Sequence, residues 1–190
     1  MSEPIRLLIA DDHPIVRHGI RMCLARQEAI LVVGEAGDGH EALALTRELH
    51  PEVVLMDIDM PQMNGLVVTD LLRRELPQVK VLIFSMYANA EYALRIIQCG
   101  ARGFVLKEAP PEEIIHAIAA VHAGTAHFSP DVARVALNQV VVGVRFPQDV
   151  LQIEAPGAVD HRVHLGEGQV FHGSPMAHAL DLPRGRRALG

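Results

Sequence analysis

Three aspartates could together hold a hard cation and take part in group transfer. Asp11 and Asp12 follow the apolar run Ile5-Arg6-Leu7-Leu8-Ile9-Ala10, and Asp57 follows Val53-Val54-Leu55-Met56. Short apolar runs bounded by turn residues read as buried strands. A carboxylate at the carboxyl end of such a strand sits at the rim of the sheet, where open α/β folds place their sites. Two parallel neighbours would gather the three carboxylates in one crevice. Unpaired carboxylates repel, so such a cluster normally holds a divalent cation. Two more polar groups end apolar runs: Ser85 after Val81-Leu82-Ile83-Phe84, and Lys107 after Gly103-Phe104-Val105-Leu106. These are the parts needed to move a phosphoryl group onto a carboxylate. The nucleophile is ionised at neutral pH without help. A magnesium ion offsets its charge. A lysine and a hydroxyl bind the remaining phosphoryl oxygens.

The elements that must position these groups alternate up to about residue 124. Strand patterns cover residues 5–10, 31–36, 53–57, 79–85 and 103–107. Helix patterns cover 14–26, 39–49, 64–75, 88–99 and 111–122. Asp38 is placed to cap the second helix, and Pro51 follows its end. Pro77 follows the third helix, Gly100 follows the fourth, and Pro110-Pro111 opens the fifth. Five βα units with short connections imply a doubly wound parallel α/β sheet. A site formed by strands one and three favours the flavodoxin-like order 2-1-3-4-5, which puts the chain reversal beside the acidic cluster.

A length of 190 residues allows one domain plus a small second unit. Apolar residues make up 49% and aromatics only 4%, so the core is aliphatic, as suits a helix-covered parallel sheet. The net charge is −6, and residues 143–190 contribute nothing to it, with five Arg against five Asp or Glu. Neither part has the positive excess of a nucleic-acid binder. Cys23 and Cys99 sit in apolar helical patterns and are expected to be buried, inert thiols. No signal peptide or long apolar span is present, so a cytoplasmic protein without membrane contact is expected.

The segment Leu55-Met56-Asp57-Ile58-Asp59-Met60-Pro61-Gln62-Met63-Asn64-Gly65 resembles the receiver (CheY-like) domain of bacterial two-component response regulators. The likeness covers residues 4–125 and rests on separate motifs in order at successive strand ends. Ser85-Met86-Tyr87 and Gly100-Ala101-Arg102-Gly103-Phe104-Val105-Leu106-Lys107 are similar to the NarL/FixJ type, whose members usually carry a helix-turn-helix output. The resemblance implies that Asp57 accepts a phosphoryl group from a sensor histidine kinase. It implies that Asp12 and Asp57 ligate Mg2+, with Asp11 acting directly or through water, and that Asp59 offers its backbone carbonyl. Ser85 and Lys107 would bind the phosphoryl group. Phe104 would be the aromatic switch, and Tyr87 would lie on the output surface. The switch would act on the face formed by the fourth helix, fifth strand and fifth helix, a plausible homodimer contact. Such a chain is a signalling protein rather than an enzyme, limited to self-phosphorylation and slow autodephosphorylation.

Two positions depart from the pattern. Ser85 stands where threonine is commoner, which keeps the hydroxyl but loosens its rotamer. Glu108 stands where many receivers have proline, which disfavours the cis peptide often found there. Asp57-Ile58-Asp59 also resembles the start of the haloacid-dehalogenase phosphatase signature. Pro61 and the third-strand location argue against that enzyme reading. His13 and His18 read as surface residues. His161, His164, His172 and His178 match no compact zinc spacing.

Three segments are expected: a receiver over 1–125, a linker helix over 126–142 capped by Ser129, and an atypical tail over 143–190. The tail holds seven Gly, four Pro and four His, and lacks the helical pattern of a DNA-reading helix. It reads as a vestigial or novel tail, a shifted reading frame of a former helix-turn-helix, or a small β-rich module, the first two being favoured. Two outputs follow: transcription regulation with DNA binding left open, or a stand-alone receiver acting by protein contacts or as a phosphate sink.

Overall fold

The computed structural model describes residues 3–86, 90–128 and 132; for 90–93 only the backbone is described. Tyr87, most of the expected linker helix with its cap Ser129, and the tail with its four histidines lie outside the described residues. The strands are β1 (Ile5–Ala10), β2 (Ile30–Ala36), β3 (Val53–Met56), β4 (Lys80–Ser85) and β5 (Gly103–Leu106). The helices are α1 (Pro14–Leu24), α2 (Gly39–Leu49), α3 (Gly65–Glu75), α4 (Ala90–Gln98) and α5 (Pro111–His122). All strand pairs are parallel, and the sheet order is β2-β1-β3-β4-β5, as the sequence predicts.

Period-two alternation sends the strand side chains into two cores. Leu8, Ala10, Val54, Met56, Val81, Ile83 and Phe104 pack with Ala42, Val68, Leu72, Ile96 and Ile97 from α2, α3 and α4. Leu7, Ile9, Val53, Leu55, Leu82, Phe84 and Val105 pack with Ile20, Leu24, Ile114, Ile118 and Val121 from α1 and α5. The apolar runs are continuous because both faces of each central strand are covered.

Register aligns the strand ends that carry chemistry. Ala10 pairs with Met56, so Asp11 and Asp57 leave the sheet side by side. Ser85 pairs with Leu106, which puts Lys107 next to the end of β4. Local capping holds the intervening helices. The Asp38 carboxylate accepts from the Glu41 N–H at 2.9 Å, and Glu41 accepts from the Gly37 N–H at 2.7 Å. Asn64, expected inside α3, caps it instead, accepting from the Leu66 N–H at 2.8 Å. Helix α1 stops at Leu24, short of the expected Arg26. Ala25 and Arg26 form an exposed turn closed by the Gln27 N–H on the Leu24 carbonyl.

The loop from Asp57 to Gly65 packs more tightly than its sequence suggests. The Gly65 N–H donates to the Ile58 carbonyl at 2.9 Å. A Cβ at Gly65 would lie 1.9 Å from the Asp57 carbonyl oxygen, and one at Gly39 would lie 2.1 Å from that of Met63. Only glycine lets α2 and α3 start this close to the loop.

Beyond α5 the chain runs along β5. The Phe104 N–H donates to the His127 carbonyl at 2.7 Å, and the His127 N–H donates to the Arg102 carbonyl at 3.1 Å. Ala126, Phe128 and Val132 are buried in the core that holds Phe104. Among the described residues no helix is long and apolar enough to cross a membrane.

The expectation of two buried thiols fails at Cys23. It lies on the outer face of α1 and is exposed, while Cys99 is buried and its thiol is pushed up to about 11 by desolvation. A thiol reagent should modify Cys23 in the native protein and reach Cys99 only on unfolding. Equal native rates at both positions would contradict this packing. Gly65→Ala should lower stability by about 1–3 kcal/mol in urea denaturation. An unchanged midpoint would show that the loop does not press on α3.

Candidate functional site

The site sits at the carboxyl ends of β1, β3, β4 and β5. Backbone bonds lock the aspartates in place. The Asp57 N–H donates to the Ala10 carbonyl at 2.8 Å, and the Asp11 N–H donates to the Ala36 carbonyl at 3.1 Å. Both acids are buried beneath the rim, Asp11 at 1% and Asp57 at 3% exposure. Asp12 is partly open, its side chain 28% exposed, and forms the mouth.

Lys107 joins the acids. Its Nζ donates to Asp57 Oδ2 at 2.8 Å and lies 2.7 Å from Asp11 Oδ2. The Asp11 contact is a buried ion pair. Asp57 Oδ1 accepts from the Ile58 N–H at 2.8 Å, and Asp11 Oδ1 accepts from the His13 N–H at 2.8 Å. Three carboxylates face one ammonium, so the cluster has an excess of negative charge.

Burial raises the pKa of Asp57; the charge of Asp11 adds to the rise, and Lys107 and the Ile58 N–H oppose it. For Lys107, burial works against the charged form. The hydrogen-bonding and coulombic pull of Asp11 and Asp57 outweighs burial and leaves its pKa raised.

The three carboxylates fit a hard divalent cation, and His13 lies beside them. One ligand atom from each of Asp11, Asp12, Asp57 and His13 lies within 4.8 Å of all the others. Asp11 Oδ2 and Asp12 Oδ1 are buried atoms whose contacts are the Lys107 ammonium at 2.7 Å and His13 Nδ1 at 2.6 Å, and carboxylate oxygens suit a hard ion.

The other predicted residues are placed as follows. Ser85, 2% exposed, ends β4, and its carbonyl accepts from the Lys107 N–H at 2.9 Å. Asp59 lies in the β3–α3 loop with its side chain exposed. Phe104 is buried in the α2-α3-α4 core rather than in the acidic cluster. No cis peptide occurs among the described residues, Lys107–Glu108 included.

Two features escaped the sequence reading. Arg17 Nη1 donates to the Asp11 carbonyl at 2.6 Å, and its Nε donates to Glu35 at 3.2 Å. Arg21 holds the other Glu35 oxygen at 2.8 Å, and this hydrogen bond leads the lowering of the Glu35 pKa. The i, i+4 spacing of Arg17 and Arg21 was the available signal, but it does not name a partner across the fold. The second feature is His13. It is exposed as expected, yet its Nδ1 lies 2.6 Å from Asp12 Oδ1.

The response regulator receiver domain family matches residues 7–119. An uncharacterized transcriptional regulatory protein of Bacillus subtilis, YxjL, is 40% identical over 127 residues, which are 67% of this chain and 58% of that protein. A LuxR-family two-component response regulator from Aurantimonas has a similar crystal structure, with TM-score 0.66, 38% identity, and coverage of 72% of this chain and 99% of that one. The isolated receiver domain of RcsB from Salmonella enterica, solved with the phosphomimetic BeF3−, gives TM-score 0.63 at 29% identity, covering 70% of this chain and 98% of that one. The chain spans about three-fifths of the length of the curated relatives it matches. With the sheet order, the two cores and these matches in hand, the chain belongs to the response regulator receiver family of two-component systems, with a CheY-like fold.

Proposed function

We propose that Asp57 is the phosphoacceptor of a two-component phosphorelay. The observation that carries this reading is the buried Asp57 carboxylate, tied to Lys107 at 2.8 Å and flanked by Asp11 and Asp12. An Asp57 oxygen attacks the phosphorus of a phosphohistidine on a sensor kinase. The new P–O bond forms as the P–N bond breaks, and the imidazole leaves with its electron pair. The neighbouring RcsB receiver was solved with a phosphomimetic, which favours the same role for this site.

Asp11, Asp12, Asp57 and the Asp59 backbone carbonyl are the groups that would hold Mg2+. When bound there, the ion offsets the charge of the carboxylates and of the phosphoryl oxygens. Lys107 already spans Asp11 and Asp57, so it is placed to follow charge that builds on Asp57. Ser85 supplies the hydroxyl for a remaining oxygen. Phe104, one strand away, is the aromatic residue whose packing follows Ser85, so the signal reaches α4, β5 and α5. That surface is where a second copy would dock.

The output we favour is transcription regulation by ancestry, as in the relative named a transcriptional regulatory protein, although residues 143–190 show no pattern of a DNA-reading helix. The composition of residues 143–190, with five Arg balanced by five Asp or Glu, favours a second reading. In that reading the receiver acts by protein contacts or as a phosphate sink. Salt-sensitive DNA binding by the full chain would select the first.

A small phosphodonor with Mg2+ should label the chain as a base-labile acyl phosphate. Asp57→Asn should abolish labelling, EDTA should suppress it, and Lys107→Met should slow it about a hundredfold. Undiminished labelling of Asp57→Asn would overturn the assignment.

The buried Asp57 carboxylate also works against the fold. The folded Asp57 pKa lies above its ordinary 3.8, so the folded chain holds that proton more tightly than the unfolded one. The stability tied to the neutral form is full below 3.8 and is lost as pH rises through the folded value. In EDTA at pH 7, Asp57→Asn should therefore be more stable than the parent by about 1 kcal/mol. The difference should vanish below pH 3.8. Urea denaturation at both pH values checks the sign.

A further inference from the structure

We infer that His13 is a metal ligand that sets the ion preference of the acidic site, admitting borderline ions such as Co2+ or Ni2+ through an imidazole nitrogen. The inference rests on the reading of Asp11, Asp12 and Asp57 as a cation site.

The backbone of His13 is fixed. It is the N-cap of α1, in extended conformation, with Pro14 following. Its N–H donates to Asp11 Oδ1, and its carbonyl accepts from the N–H groups of Val16 at 3.0 Å and Arg17 at 3.2 Å. The side chain turns back over the acids rather than out along the helix. Nδ1 lies 2.6 Å from Asp12 Oδ1 and 3.4 Å from Asp11 Oδ1.

These separations suit donors that share an ion. Ligands about 2.1 Å from an octahedral ion lie about 3.0 Å apart when adjacent and about 4.2 Å apart when opposite. The four-residue set falls within 4.8 Å throughout, so small side-chain rotations reach those values. Asp11 Oδ2 is buried in the same pocket and paired with Lys107 at 2.7 Å, so the set brings an imidazole nitrogen up to carboxylates that already face a cation. The His13 side chain is 63% exposed, so it swings without disturbing the core.

The chemistry of the set then divides the ions. Mg2+ takes oxygen ligands and keeps its waters, and it gains little from an imidazole. Later transition ions bind nitrogen well, and their affinities rise along the series. His13 therefore leaves Mg2+ binding to the carboxylates and adds a bond for the borderline ions. To make that bond, Nδ1 exchanges its contact with Asp12 for the metal, and the ring proton resides on Nε2.

The test is a titration of the full chain with Co2+ and, separately, Mg2+. Calorimetry and proton NMR of the Co2+ form are compared for the parent, His13→Ala and His13→Gln. The expected result is a Co2+ affinity lower by about tenfold or more in both variants, with Mg2+ affinity within about twofold of the parent. The parent should also show a hyperfine-shifted, exchangeable imidazole N–H signal. That signal should be absent from both variants and removed by excess Mg2+. Unchanged Co2+ affinity, or persistence of the signal in His13→Ala, overturns the role of His13 while leaving the cation site standing. Failure of the parent to bind Mg2+ or Co2+ overturns the cation site and the inference together. Mg2+ binding by each variant reports that it has folded.

Discussion

The structure turns on the electrostatics of Asp11 and Asp57, two buried carboxylates held together by the Lys107 ammonium. Burying an ion is costly unless charge and hydrogen bonds compensate it. Here burial outweighs the help of Lys107, the charge of Asp11 adds to it, and the pKa of Asp57 rises. The rest of the domain serves to keep this unfavourable arrangement from relaxing. The ends of β1 and β3 are stitched by the Asp57 N–H on the Ala10 carbonyl, and the end of β5 is tied to that of β4 by the Lys107 N–H on the Ser85 carbonyl. Two aliphatic cores clamp the strands from both faces, so no strand can slide its acid toward water. A register slip of one residue would reverse every strand side chain. The packing that makes the sheet stable is also what fixes the carboxylates.

The same logic explains the backbone beyond β3. Gln62 adopts φ 65°, a left-handed conformation unusual for a residue with a Cβ. The loop accepts that strain because Gly39 and Gly65 allow two helix starts to abut it. The Ile58 N–H, the first of the loop, is spent on Asp57 Oδ1. The segment that displays the acid therefore also supplies one of its hydrogen bonds. Arg17 does the equivalent for β1, bridging the Asp11 carbonyl to Glu35 on β2.

Most of the architecture was legible in the sequence because it is encoded locally. Continuous apolar runs, helix caps and helix-ending Gly or Pro located all ten elements, and α2 and α5 match their expected limits. The grouping of Asp11, Asp12, Asp57 and Lys107 was legible because each follows a strand directly, so topology alone brings them together. What was not legible depends on contacts between distant residues. Cys23 sits in an apolar helical pattern, but α1 buries only Ile20 and Leu24 and turns Met22 and Cys23 outward. A helix with apolar residues on both sides does not announce which side faces the sheet. Arg17 with Glu35 was invisible for the same reason, whereas His13 against Asp12 is a contact of neighbours that depends on how the His13 side chain turns. Gly65 was placed in the first turn of the third helix, while its near-contact with the Asp57 carbonyl is a tertiary fact.

Strand β5 brings the acidic site and the chain's exit from the domain into one structural unit. Lys107 follows its last residue, and Phe104 is its second. Residues 126–128 lie along its outer side, where the Phe104 N–H bonds the His127 carbonyl. The covered positions do not offer open backbone groups to another strand. Phe128 and Val132 then enter the core that contains Phe104, Ile96, Ile97 and Ala101. Close-packed interiors transmit small displacements because they contain little free volume. A change in how Phe104 packs must therefore be accommodated by Ile96 and Ile97 of α4, by Ala126, Phe128 and Val132, or by both. The chain past α5 is thus anchored inside the domain, against the strand that carries the site's lysine, rather than tethered from the end of a helix.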